Sequence, residues 1–152
     1  MKSIYCYSCI LIICSFFIFS CDMSTMQPKG DYISGHLSFV DTNFTKTGGH
    51  YAVALYPDQN SYYLGNPIIS QSVTPDASNP CSYYRIYWEG QGSCIVSAVW
   101  VSDSNNTVPL VLGAFGCDTS RTCESPHPIS FPNYTGADYL FKCWADTTKK
   151  LN

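Results

Sequence analysis

Cysteine, histidine and tyrosine are the residues through which this chain could do chemistry, and it holds 9, 3 and 12 of them. Nucleophilic catalysis needs a Ser or Cys beside a His base that an acid orients. His36 alternates out of a strand, His50 follows a Gly-Gly pair, and His127 lies between Pro126 and Pro128. There is no Gly-x-Ser-x-Gly elbow, and no two histidines share metal-ligand spacing. His50 could meet Asp103 or Asp41 only if the fold brought them together. The expectation is a protein with no catalytic residue, no metal and no cofactor. The rival is a secreted hydrolase or redox protein that uses a His or a free Cys.

Two short motifs have a metal reading. Cys117 and Cys123 close a small polar loop, with His127 and Glu124 as the nearby ligands that would complete a zinc site. Val101-Ser102-Asp103-Ser104-Asn105-Asn106 offers oxygen ligands for calcium, but lacks the pivot glycine and closing Glu of an EF-hand. Asp, Ser and Asn favour turns on their own account, so a plain turn is expected there.

The tyrosines carry the main binding hypothesis. In Tyr83-Tyr84-Arg85-Ile86-Tyr87-Trp88 a period of two turns Tyr84, Ile86 and Trp88 to the core. Tyr83, Arg85 and Tyr87 then stand on the opposite side, where flat rings around a guanidinium could seat a glycan or a partner protein. The competing expectation is that these rings only pack against cross-strand neighbours or a loop.

These residues must be positioned outside the cytoplasm. Met1-Lys2 is a short positive start, and Ile4 to Phe19 is almost wholly apolar, slightly short for a membrane span of about 20 residues. Ile18-Phe19-Ser20-Cys21 resembles the lipobox of bacterial lipoproteins, in which a small residue precedes the Cys that receives diacylglycerol. This reading makes residues 1–20 a signal peptide, Cys21 the lipidation site and residues 21–30 a polar tether. Membrane contact is then through Cys21, because several acyl chains on one Cys hold a protein firmly. The expected address is the cell envelope, at the outer membrane or facing the periplasm. An ordinary secretory signal or an uncleaved anchor are the alternatives. A eukaryotic secreted glycoprotein is another, in which Asn43, Asn105 and Asn133 would be acceptors. Cys6-Tyr7-Ser8-Cys9 lies inside the leader and is set aside. With a charge of -3 and charged residues at 12%, no nucleic-acid partner is expected.

Removal of the leader leaves Cys81, Cys94, Cys117, Cys123 and Cys143 besides Cys21. An oxidising compartment permits disulfides. Cys117 and Cys123 are the first candidates. Cys94 and Cys143, on inward-facing positions, leave two alternatives open: a disulfide with each other, or two buried small hydrophobes.

Period-two segments recur from Tyr32 to Ala145, each bounded by turn residues, and no segment has helical period. Ile33–Phe39, His50–Tyr56, Ile68–Val73, Tyr83–Trp88, Cys94–Val101, Val108–Phe115, Ile129–Phe131 and Ala137–Ala145 are the expected strands. The expectation is one all-β domain over 31–152, a single antiparallel β-sandwich of about seven to eight strands. Tyr83–Trp88 and Cys94–Val101 are expected to form a hairpin across Glu89–Ser93, and Pro109 to stand at an edge or a strand start.

Tyr84-x-Ile86, a glycine turn and Gly92-x-Cys94-x-Val96-x-Ala98 resemble the recurrent hairpin of prealbumin-like (transthyretin-like) sandwiches, including carboxypeptidase-regulatory-like and Cna-B-type modules. Cys94 stands where those modules usually carry Tyr. Ile33-Ser34-Gly35-x-Leu37-x-Phe39 and Tyr51-x-Val53-x-Leu55-Tyr56 resemble the first two strands of the same group. The tail Trp144-Ala145-Asp146-Thr147-Thr148-Lys149-Lys150 is similar to that of small lipoproteins of environmental bacteria. The resemblance implies the prealbumin-like fold and a surface or periplasmic location, and it implies no activity.

Overall fold

A computed structural model of the chain describes residues 32–45, 47–104, 107–117, 119, 125–132 and 137–151. The leader, Cys21 and the tether lie outside the described residues. The eight strands are β1 (Tyr32–Phe39), β2 (Gly49–Tyr56), β3 (Ile69–Val73), β4 (Cys81–Tyr87), β5 (Gly92–Ser102), β6 (Leu110–Ala114), β7 (Ile129–Phe131) and β8 (Phe141–Cys143). All eight expected strands are present: β3, β6 and β8 are shorter than expected, β1, β2 and β5 are longer, β4 is shifted toward its start and β7 is unchanged. Pro109 immediately precedes β6, where its missing N–H costs no ladder bond.

The strands form two sheets, β4-β1-β8 and β3-β2-β5-β6, with β7 pairing β5 beyond β6. The sheets face one another across one core. Ile33, Leu37, Tyr84, Ile86 and Phe141 come from the first sheet, and Tyr51, Val53, Leu55, Val96 and Leu112 from the second. The alternation read from sequence is thus the alternation of the core face. Strands β2 and β5 are also buried on their other face, where Ala52, Ala54, Tyr56, Ile95 and Val99 form a second cluster with Tyr62. Strands buried on both sides lose clean alternation, which is why these two read as the most continuous apolar runs.

Three expectations are corrected. Against the expectation of no helical segment, Gln59–Leu64 forms a helix, α1. Asp58 caps it by accepting from Ser61 N at 2.7 Å, and Gly65 closes it with φ 66°. A helix this short shows no period that a sequence window can detect. The second correction concerns pairing: β4 and β5 do not form a hairpin. Strand β4 pairs β1, whereas β5 pairs β2, β6 and β7, so Trp88–Gln91 crosses from one sheet to the other. Two strands joined by a short glycine-rich link satisfy the same local pattern whether they share a sheet or face each other across a core. Third, the arrangement is not wholly antiparallel, since β8 runs parallel to β1.

That parallel pairing ties the two sheets together. Trp144 N, just past β8, donates to Leu112 O on β6 at 3.0 Å. Gly113 permits the approach, because a Cβ there would fall 2.3 Å from Lys142 O. At the opposite edge Arg85 N of β4 donates to Gln71 Oε1 of β3 at 2.8 Å. The conspicuous tail is a capped turn: Asp146 accepts from Thr148 N at 2.9 Å, and Lys149 Nζ lies 4.5 Å from the Trp144 ring.

The free cysteines differ in burial. Cys94 and Cys143 are fully buried and free, so they are small hydrophobes rather than a disulfide. Cys143 packs at Gly113, which pairs with Ala98, four residues along β5 from Cys94. That is roughly 13 Å at ~3.3 Å per residue, beyond the ~7 Å that a disulfide spans. Burial pushes the Cys94 thiol up to about 12 and raises that of Cys143 as well, so neither is a nucleophile at neutral pH. Cys81 is exposed at the start of β4. Cys123 lies outside the described residues, and the Cys117–Cys123 ring with it.

Candidate functional site

The residues expected to form a binding surface are on the outer face of β4. Tyr84 and Ile86 are buried, while Tyr83 is 46% and Tyr87 58% exposed. Trp88, just past the strand, is half-buried against Phe131 rather than on the outer face.

The register of β1 against β4 decides what joins them. Tyr32 lies opposite Tyr87, Ser34 opposite Arg85, and His36 opposite Tyr83. Tyr32 and Tyr87 have ring centroids 5.8 Å apart, and His36 and Tyr83 are 5.2 Å apart. Arg85 fills the space between these pairs. Its guanidinium carbon is 4.6 Å from the Tyr32 centroid and 5.7 Å from that of Tyr83. Its Nε and Nη2 donate to Tyr83 Oη at 3.2 and 3.0 Å. Hydrogen bonds with Tyr83 and then Tyr87 raise the guanidinium pKa further, so the cation is permanent.

The face is therefore a row, His36–Tyr83–Arg85–Tyr32–Tyr87, laid across two strands. The two readings are compatible here, because Tyr83 and Tyr87 are cross-strand partners and are also open to solvent, whereas Tyr32 is buried beside Arg85. Packing within the row restricts the side chains before any ligand arrives, which reduces the entropy lost on binding. Its chemistry is that of stacking and hydrogen bonding around one cation. Tyr32 and His36 were missed as members of the site. Alternation puts His36 on the outward side of its strand, but nothing local puts it beside a residue 47 positions later.

The structure brings His50 and Asp103 together, with Nδ1 and Oδ1 3.9 Å apart on exposed side chains. No described Ser or Cys hydrogen-bonds that imidazole. His127 is exposed and lies edge-on to Phe115 at 6.2 Å. His36 is committed to Tyr83. Among the described residues no group of three His, Cys, Asp or Glu could hold a metal ion. Glu124, Asn105 and Asn106 lie outside them. The described part of the calcium-like loop is a turn in which Asp103 N donates to Gly48 O at 2.9 Å. No helix among the described residues is long and apolar enough to cross a membrane. No protein-family model, no curated protein and no solved structure matches this chain.

Proposed function

We propose that this chain is an exported lipoprotein, diacylated at Cys21, whose body is a prealbumin-like β-sandwich acting as a non-enzymatic binding module. It resides in the cell envelope, at the outer membrane or facing the periplasm, and the Cys117–Cys123 disulfide pins the loop after β6. The partner, a glycan or a protein, is received on the row around Arg85. The observation that carries this reading is the arrangement of Tyr83, Arg85 and Tyr87: packed with Tyr32 and His36, yet half open to solvent. Ordered aromatic surface around a fixed cation is what stacking recognition needs.

Anchoring and binding are tested separately. Radiolabelled palmitate is expected to enter the wild-type chain in a bacterial host and to be absent from Cys21→Ser. Label retained by that variant refutes the anchor. On a glycan array or with a purified partner, Tyr83→Ala combined with Tyr87→Ala is expected to weaken binding by about tenfold or more. Two aromatic contacts at roughly 0.5–1.5 kcal/mol each correspond to that loss. Both rings are largely exposed, so the melting temperature should barely move. Undiminished binding by the double variant removes the face from the mechanism.

A further inference from the structure

The row does not end at Tyr87. Beyond it, between the end of β4 and strand β7, is a groove of about 870 Å³. That is within the ~300–1,000 Å³ of small-molecule sites. Tyr87, Trp88, Glu89 and Gln91 line it, with Ile69 and Phe131 as apolar walls. Tyr87 thus belongs to both the row and the groove.

The aromatic part of the groove is held in place. Phe131 packs on the Trp88 indole with ring centroids 4.9 Å apart and planes at 42°. The Gly90 backbone lies against the same indole, since a Cβ on Gly90 would fall 1.9 Å from Cζ2. Glycine is therefore required at position 90 for contact rather than for a left-handed φ. The polar part is unengaged. Neither the Glu89 carboxylate nor the Gln91 amide has a hydrogen-bond partner among the described residues, and both are exposed. Together they offer carboxylate acceptors, an amide donor pair and an amide acceptor.

Resting on the reading of this face as a binding surface, we infer that the groove is a subsite for a neutral pyranose, and that the ligand of the row is a glycan. A pyranose ring has an apolar C–H face and a rim of hydroxyls that both donate and accept. Tyr87 and Trp88 meet the face, and Glu89 and Gln91 meet the rim. Charge narrows the class. Among the described residues no Lys, Arg or His lines the groove and Glu89 does, so a uronate, sulfate or phosphate meets no counter-ion there and is repelled. A quaternary ammonium would want rings on several sides of a small cage. Here one side of Trp88 is already covered by Phe131, and the space is far larger than one ammonium head. A chain of neutral sugars would lie along the row from Tyr83 to Tyr87 and place one unit in the groove.

The test uses the full chain, with cellohexaose, laminarihexaose and mannohexaose as neutral probes. Hexagalacturonate is the acidic probe and choline the cationic one. Binding is followed by calorimetry, and by tryptophan fluorescence to report on Trp88. At least one neutral hexasaccharide should bind, and Glu89→Gln combined with Gln91→Ala should weaken it tenfold or more. Tyr83→Ala, at the far end of the row, should weaken it independently. If a neutral sugar binds and only Tyr83→Ala weakens it, the groove subsite is wrong and the binding face stands. Binding of hexagalacturonate or choline in place of the neutral sugars overturns the assigned class. If no probe binds, the glycan assignment falls, and a protein partner lost on the Tyr83, Tyr87 double substitution would still uphold the face. All the substituted side chains are exposed or half-exposed, and thermal melts confirm folding of each variant.

Discussion

Gly35→Ala is expected to destabilise the protein by roughly 3 kcal/mol or more, at the upper end of what overpacking costs. Gly35 is in the middle of β1, the central strand of the three-stranded sheet. Its missing Cβ would fall 1.7 Å from Tyr139 O, 2.5 Å from Tyr139 C and 2.8 Å from Tyr84 Oη. Two of those neighbours are backbone and cannot swing aside. The chain before β8 is bound there by Tyr139 N donating to Ser34 O at 2.8 Å and Tyr84 Oη donating to Tyr139 O at 2.8 Å. A methyl group must either break these bonds or bend β1 away from β4, which would also disturb the row on its outer face. Gly92→Ala is the control. Its φ of 105° is unfavourable to alanine, but no atom lies within 4 Å, so only backbone strain of about 1–2 kcal/mol is expected. Denaturant unfolding followed by tryptophan fluorescence measures both. Equal losses for the two variants would show that residues 137–139 do not lie against β1.

Tyr51 gives the second large effect, and a pair of substitutions separates its causes. Its ring packs edge-on with Phe39, Phe44 and Trp100, at centroid distances of 5.3, 5.7 and 4.8 Å. Its hydroxyl donates to Ala145 O and accepts from Thr45 N at 2.8 Å. One side chain thus joins β2 to the loop after β1 and to the segment after β8. Tyr51→Ala is expected to cost about 3–5 kcal/mol through the cavity. Tyr51→Phe should cost about 1–3 kcal/mol, because it leaves a buried carbonyl and an amide short of a partner. Burial raises the Tyr51 phenol above its ordinary value of 10.0, with hydrogen bonds from Thr45 opposing. A raised acid pKa means that the folded state holds its proton where the unfolded chain has released it. The contribution is complete below pH 10 and is lost as the pH climbs toward the folded pKa. Wild-type stability should therefore fall above pH 10, and Tyr51→Phe should soften that fall. Tyr62, pushed up to about 12, and Tyr84 keep part of the slope in the variant. An unchanged alkaline limb in Tyr51→Phe would refute the contribution assigned to this hydroxyl.

The positions at which reading the sequence succeeded and failed share a physical logic. Side-chain alternation is a property of one strand, so the eight strands, the inward Phe141 and Cys143 and the outward Tyr83, Arg85 and Tyr87 were all legible. Pairing is a property of two strands that can be far apart in the chain. That β4 seeks β1 rather than β5, and that β8 lies parallel to β1, depends on which buried faces meet. The same holds for Cys94 and Cys143. Alternation turned both inward, but only their separation along the core forbade a disulfide. Helix α1 escaped notice because its two caps, Asp58 and Gly65, are separated by too few residues to show a period.

By itself the chain's order of residues determined where the strands lie and which side of each is apolar, because local backbone geometry and the exclusion of oily groups from water act within a few residues. Only the tertiary structure decided that Tyr32 and His36 stand beside Arg85, and that Tyr87 opens onto a groove walled by Phe131. Those neighbours come from segments up to a hundred residues apart, and register between distant strands is settled by packing a common core.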